Sequence, residues 1–438
     1  MATNLEETTV AAFSDYAAPK DLERHDSIGD HLDNTTVRSL SWYDVSVVVR
    51  DRKTKQPISI LSAANGFVEA GQVVALMGPS GSGKTTLLNV LAHRTTANTQ
   101  IQGEVMINNE RASLTAMRNL SSYVEQEDAL IGSLTVKETI NFAARLALPS
   151  WVTKKERIER VNDLLDAFGI QRQANALVGT PIRKGISGGQ KRRLSVASQL
   201  IADPRILFLD EPTSGLDSTA SFEVMNYIKR IAVQHRLIVV ASIHQPSTAT
   251  FALFDQLMLL SGGKTCYFGP MAGVKDYFGS ISHPIPAYTN PAEFLLELVN
   301  VDFAKDKELS RSRLESVHSA WTESTQAAQT KSYLEARVRQ TPDLEKSSNL
   351  DHKVQRRNVG LVTFVLLHRS WIKSYRDIIA YGIRIAMYTG LAIMASHSSR
   401  FRARRLTSSR WERSGFAFPP TNHQSSHSLM PYSSAARS

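Results

Sequence analysis

Gly78-Pro79-Ser80-Gly81-Ser82-Gly83-Lys84-Thr85 follows directly on the wholly apolar run Val73–Met77 and leads into the Leu-rich segment Lys84–Arg94, beginning Lys84-Thr85-Thr86. Strand, glycine loop and helix in that order are what polyphosphate binding requires. The glycines let backbone N–H groups approach the phosphates at the start of a helix, Lys84 brings a point charge and Thr85 a hydroxyl suited to Mg²⁺. The same string also arises in unrelated loops, but its place between a strand and a helix favours a nucleotide.

Outward from this loop, three further elements occur in fixed order: Ser187-Gly188-Gly189-Gln190, then Asp210-Glu211 closing the apolar run Ile206–Leu209, then Ser242-Ile243-His244-Gln245-Pro246. The strand Ile206–Leu209 delivers two carboxylates to the carboxyl edge of a sheet, where phosphates also gather. Asp210 suits Mg²⁺, direct or through water, and Glu211 suits accepting a proton from an attacking water. Gln126, after the strand Ser121–Val124, can reach metal and water with a neutral amide. His244 can hydrogen-bond a terminal phosphate or orient the water. Phosphoryl transfer needs positioning and charge neutralisation more than covalent catalysis, so a set without a Cys or Ser nucleophile fits direct hydrolysis. Each residue taken alone has a bland alternative: a solvated turn for Asp210-Glu211, a structural histidine for His244.

The ordered set resembles an ATP-binding cassette (ABC) ATPase, because generic phosphate-loop enzymes lack the Ser-Gly-Gly-Gln element. The resemblance implies ATP and Mg²⁺ as cofactors, with Gly78–Thr86 and Ser187–Gln190 binding nucleotide, Thr85, Gln126 and Asp210 holding the metal, and Glu211, His244 and Gln126 catalytic. Ser187 and the amides of Gly188 and Gly189 form a helix N-terminus, which favours anions. In the family this loop closes over ATP held by a second cassette, so one set of motifs implies a second chain, and Ser214-Gly215-Leu216-Asp217 resembles the loop at that seam. Where the family commonly carries an aromatic that stacks on adenine, this chain has Val47, with Trp42 and Tyr43 nearby.

The fold expected is α/β: a mostly parallel sheet covered by helices, since each strand is a near-continuous apolar run alternating with helical patterns. A small antiparallel sheet precedes it, starting with Leu40–Arg50, turning through Asp51–Pro57 and returning along Ile58–Leu61. Glu104–Asn108 is a further strand, and a loosely patterned connector leads on to Ser121. An inserted helical subdomain spans Val136–Leu148 and Thr153–Gly169, the latter with Ile158, Val161, Leu164, Leu165 and Phe168 facing inward. A helix opened by Ser187 runs to Ala202.

Tyr267-Phe268-Gly269-Pro270, Val274–Phe278 and Asn290-Pro291-Ala292-Glu293-Phe294 resemble the G subfamily of ABC transporters, half-transporters whose cassette precedes the membrane domain. The domains expected are an unstructured arm over 1–38, the cassette over 39–300, a charged linker with helical pieces over 301–357, an amphipathic connecting helix over 358–376 and part of a first membrane span over 377–395. The span is slightly short of the ~20 residues that cross a bilayer. Arg384 costs about 2.5–3.5 kcal/mol there, nearly cancelling its Ile and Leu residues.

The chain has 438 residues, 42% of them hydrophobic, with a formal charge of +10. An excess of that sign suits nucleic acid, but Ser396–Ser438 holds seven Arg against one Glu, and Lys191-Arg192-Arg193 reads as the solvated face of a helix. No nucleic-acid partner is expected. Cys266 rules out an intramolecular disulfide and reads as a strand residue. The polar N-terminus is not a secretory signal, which puts the cassette on the cytosolic side of a membrane.

The functional expectation is ATP hydrolysis coupled to export through a homo- or heterodimer of half-transporters, the substrate a small molecule or lipid handled by the full-length form. A soluble regulatory ABC ATPase and a non-transporting fragment are the alternatives. The 396–438 tail reads either as a change of coding frame or as a genuine basic isoform end at a membrane surface.

Overall fold

The computed structural model describes residues 33–51, 56–95, 99–127, 129–180, 183–301, 306–339, 358–376 and 382–397. Contacts divide the chain into two units, 1–373 and 374–438.

In the first unit, a four-stranded antiparallel sheet runs in the order β2-β1-β4-β5, with β1 Ser39–Arg50, β2 Pro57–Glu69, β4 Thr99–Ile107 and β5 Glu110–Arg111. Asn108 and Asn109, at φ 53° and 70°, make the two-residue turn between β4 and β5. Paired positive φ is what such a hairpin turn demands, and asparagine tolerates it. β2 is longer than Ile58–Leu61 alone implied, and its register with β1 shifts at bulges in both strands between Trp42 and Val48. Trp42 is fully buried edge-on against Phe268, with ring centroids 6.0 Å apart.

The second sheet has the order β10-β9-β3-β8-β7-β6, comprising β3 Val73–Met77, β6 Ser121–Val124, β7 Ile206–Leu209, β8 Ile238–Ser242, β9 Gln256–Ser261 and β10 Lys264–Pro270. All its neighbours are parallel except β9 and β10. Strands β3, β7 and β8 are buried at every residue, as strands covered on both faces must be. This order sets the carboxyl ends of β3, β8, β7 and β6 side by side, bringing Gly78, His244, Asp210 and Gln126 to one edge.

Helix α1, Lys84–Leu91, follows the glycine loop. The connector before β6 contains helix α2, Leu114–Leu120, capped by Ser113 through the Ala116 N–H. α3 (Val136–Ala147) opens on a capping box between Thr135 and Glu138, and α4 (Lys154–Ala167) is capped by Thr153. On α4, Val161, Leu164 and Leu165 face the core as expected, whereas Ile158 is exposed. α5 (Gly188–Leu200) and α6 (Ser218–Gln234) complete the central helices, and α7 (Thr248–Phe251), α8 (Val274–Ser280) and α9 (Pro291–Val299) follow. Cys266 lies buried in β10, where burial pushes its thiol up to about 12.

Asp33–Arg38, expected to be part of an unstructured arm, is instead packed. Val37 and Asn34 are buried, Asn34 Nδ2 donates to the Val37 and Arg236 carbonyls, and Asp33 pairs with buried His235 at 2.8 Å. Residues 1–32 lie outside the described residues. The expected linker contains α10 (Lys307–Glu323) and α11 (Thr325–Arg339). Val317 and Trp321 of α10 join the main core, Trp321 packing on Tyr267 and Tyr277 with both centroid distances 5.7 Å. Tyr333 of α11 packs on Phe67 at 4.9 Å.

α12, Val359–Arg376, falls on the expected connecting helix; its Val365 is buried with Leu134 and Phe142. Leu361, Phe364, Leu367 and Trp371 are exposed. In the second unit, 382–397 is helical, while 377–381 and 398–438 lie outside the described residues. Among the described residues no helix is long and apolar enough to cross a membrane.

Candidate active site

The loop between β3 and α1 is built around its glycines. A Cβ on Gly78, at φ 152°, would run into the Leu260 carbonyl and the Ser82 hydroxyl. Gly83 caps α1 at φ 99°, a conformation that costs glycine little. Lys84 is buried, and its Nζ donates to the carbonyls of Gly78 at 2.7 Å and Pro79 at 2.9 Å. Burial holds its pKa below the ordinary lysine value, opposed by the negative charges of Glu211 and Asp210.

Asp210, buried where β7 ends, accepts three hydrogen bonds: from Ser242 Oγ at 2.7 Å, Thr85 Oγ1 at 3.1 Å and the Tyr123 hydroxyl at 3.1 Å. Burial and the adjacent Asp210 charge raise the Tyr123 pKa far above its ordinary value, so the phenol stays a donor. Glu211 follows at φ 44°, an uncommon conformation for a non-glycine residue. Its N–H donates to Ser242 Oγ at 2.8 Å, and its Oε2 accepts from Gln126 Nε2 at 2.7 Å. The turn thus aims Glu211 away from Asp210, giving two adjacent carboxylates different partners.

A cavity of about 480 Å³ opens onto this edge, lined among others by Ser80, Gln126, Glu211, His244, Gly215 and Leu216. The chain therefore gathers the glycine loop, Gln126, Asp210, Glu211 and His244 together. Ser187–Gln190 do not line that cavity. They start α5 in a capping box, in which Ser187 Oγ accepts from the Gln190 N–H and Gln190 Oε1 accepts from the Ser187 N–H. A Cβ on Gly188 would lie 3.3 Å from Leu216, and one on Gly189 3.2 Å from Ala220. The helix start therefore sits close to the turn that the seam motif occupies.

The adenine-stacking candidates are placed elsewhere. Val47 and Trp42 are fully buried, and the Tyr43 hydroxyl donates to Glu335 at 3.1 Å.

Three residues of the site escaped the sequence reading. Tyr123 and Ser242 hold Asp210 only because parallel pairing sets β6 and β8 on either side of β7. Arg192 was expected on a solvated face and is instead buried, its guanidinium donating to backbone carbonyls of Pro212, Glu125, Gln126 and Asp210. A signal existed: Arg192 shares a helical face with buried Gly189, Val196 and Leu200.

Residues 61–214 match the ABC transporter family and residues 244–361 the ABC-2 type transporter family. ABC transporter G family member 1 of Petunia hybrida is 38% identical over 360 residues, covering 81% of this chain and 55% of its own length. ABC transporter G family member 11 of Arabidopsis thaliana is 38% identical over 369 residues, covering 80% and 51%. The broad substrate specificity ATP-binding cassette transporter ABCG2 of Sus scrofa is 42% identical over 270 residues, covering 60% and 40%. A solved dimeric, post-hydrolysis ATP-binding cassette with ADP and phosphate superposes with a TM-score of 0.45 at 26% identity, over 53% of this chain and 98% of that one. The chain spans about half the length of the first two of these relatives. With its glycine loop, Ser-Gly-Gly-Gln helix and Asp-Glu strand end in cassette order, this chain belongs to the G family of ABC transporters and carries its ATPase domain ahead of the ABC-2 type region.

Proposed function

We propose that this chain binds Mg²⁺-ATP at the edge of the six-stranded sheet and hydrolyses it with Glu211 as general base, driving export through a dimer of such chains. The observation that supports it is the convergence of Lys84, Thr85, Asp210, Gln126 and Glu211 at one sheet edge from three separate stretches of the chain. Lys84, folded back onto two loop carbonyls, has a positive charge that a β- or γ-phosphate would draw outward. The backbone N–H groups of Gly78–Thr86 cradle the remaining phosphate charge.

The residues present fit Mg²⁺. Thr85 and Asp210 offer hard oxygen donors already 3.1 Å apart, and Gln126 adds an amide oxygen nearby. When bound, the cation neutralises charge on the phosphate oxygens. Among the described residues no group of three or more His, Cys, Asp or Glu competes for it. Ser242 and Tyr123 orient Asp210 for this role. Glu211, kept apart from Asp210 by its backbone turn, takes the proton of the attacking water. His244, exposed on the same cavity, orients that water against the terminal phosphate.

Ser187–Gln190 lie outside the cavity made by their own chain, which supports their closing over nucleotide held by a second copy or a related half-transporter. The exposed apolar residues of α12 support membrane association; on this reading the cassette lies on the cytosolic side and the cargo is a small molecule or lipid.

Glu211→Gln tests the reading. ATP binding should persist while hydrolysis falls about 10²- to 10⁴-fold, the range for a lost general base. Hydrolysis at the wild-type rate in that variant would exclude Glu211 as the base.

A further inference from the structure

Arg192 lies one turn into α5, five residues beyond Ser187, and is 3% exposed. Its guanidinium reaches two separate segments, one on each side of the strand edge. Nε donates to the Pro212 carbonyl at 3.1 Å and one terminal nitrogen to the Asp210 carbonyl at 2.9 Å. The other donates to the carbonyls of Glu125 at 2.7 Å and Gln126 at 3.3 Å. Strands β6 and β7 pair in parallel only up to Val124 and Leu209, with one further bond from the Asp210 N–H to the Val124 carbonyl. Beyond that point the two chains part, one toward Gln126 and the other toward Glu211, and their carbonyls turn toward α5. A buried carbonyl needs a donor, and a rigid fork of five N–H groups meets several at once where an ammonium could not.

Gln126 Nε2 and Glu211 Oε2 meet at 2.7 Å across the parting strands. Their backbones are held on both sides of that contact by one guanidinium, which belongs to the helix that Ser187 begins. Resting on the proposed ATPase reading, we propose that Arg192 is a positioning residue: it fixes the distance between Gln126 and Glu211 and makes any displacement of the Ser187 helix a displacement of that pair. The Ser-Gly-Gly-Gln loop and the hydrolytic carboxylate are thereby tied within one chain.

Arg192→Lys in the full chain tests this, since charge is kept and the fork is lost. The kcat for ATP hydrolysis should fall between about 10- and 100-fold with KM for Mg²⁺-ATP within about threefold of wild type, because geometry of the reacting groups is changed and the phosphate loop is not. Amide exchange in nucleotide-free protein should speed up across residues 121–127 and stay unchanged across 73–91. Combined with Gln126→Ala, the substitution should add less than about threefold to the loss caused by Gln126→Ala alone, the sign of two residues acting through one contact. Unchanged kcat, unchanged exchange at 121–127 or fully additive losses would each overturn the proposal. Arg192→Gln serves as a second variant. If neither variant unfolds cooperatively, the guanidinium serves the fold itself and the positioning role is refuted. Exchange requires no turnover, so an inactive wild-type chain would count against the ATPase reading while exchange still decides the tether.

Discussion

The Gln126 amide and the Glu211 carboxylate are joined by a 2.7 Å hydrogen bond from Nε2 to Oε2. The donor in that place is neutral. Replacing it by an acid sets two carboxylates at hydrogen-bond distance, where they cannot both ionise readily. In Gln126→Glu the base is therefore protonated to higher pH. The acid limb of the pH–rate profile should move upward by about one unit or more, with activity at neutral pH down at least about tenfold and partly recovered at alkaline pH. A profile superimposable on wild type would show that the contact has no bearing on the base.

Ser242 links the two carboxylate-bearing residues, donating to Asp210 Oδ1 and accepting the Glu211 N–H. Ser242→Ala leaves a buried carboxylate oxygen and a part-buried N–H short of one partner each. A stability loss of about 1–3 kcal/mol follows, measurable by urea denaturation. The Mg²⁺ concentration giving half-maximal activity should also rise, because Asp210 loses its shortest tether. Tyr123→Phe removes one longer bond and should show both effects more weakly.

Lys84 gives a pH signature to nucleotide binding. Its pKa is held down by burial in the free site, and a triphosphate favours the charged form and raises it. Affinity is then constant below the free-site pKa and falls as pH rises through it, by at most about tenfold per unit. Binding in that window takes up a proton, which titration calorimetry in buffers of different ionisation enthalpy detects. Lys84→Met should abolish the proton uptake. By the same linkage the nucleotide-free fold gains stability as pH rises through this window, since the unfolded chain holds the proton more tightly.

Gly66 faces the Trp42 indole, and a Cβ there would clash with its ring. Trp42 is fully enclosed and backed by Phe268, so it has nowhere to move. Gly66→Ala should destabilise the fold by about 1–3 kcal/mol through overpacking, seen as a lower urea midpoint. Gly81→Ala, which meets no atom within 4 Å, tests backbone strain alone at φ 76°.

The parts of this molecule legible in sequence were those whose information is contiguous. Val73–Met77 and Ile206–Leu209 announced themselves as buried strands because every residue in them is apolar, and the motif residues come in short unbroken strings. What was not legible depends on neighbours distant in the chain. β2 continues through Ser62–Gly66, a stretch of weak strand formers bulged at Ala63 (φ 50°) and kept in the sheet by pairing with β1. Tyr123 and Ser242 become ligands of Asp210 only through the strand order β8-β7-β6. Asn34 looks like an arm residue until the His235 and Arg236 carbonyls supply its partners, and Val37 is held in turn by Asn34. α2, a single capped helix of seven residues, carries little periodic signal. Arg192 shows the opposite error, a charge assigned to solvent despite an inward helical position.

The docking of α10 has a practical outcome for anyone producing the ATPase portion by itself. A version cut at residue 300 would unroof Tyr267 and Tyr277, stripping away the indole of Trp321 and the Val317 side chain. A newly bared aromatic floor of that kind invites self-association in the test tube. Extending the cut to Arg339 keeps α10 over Tyr267 and Tyr277 and α11 on Phe67.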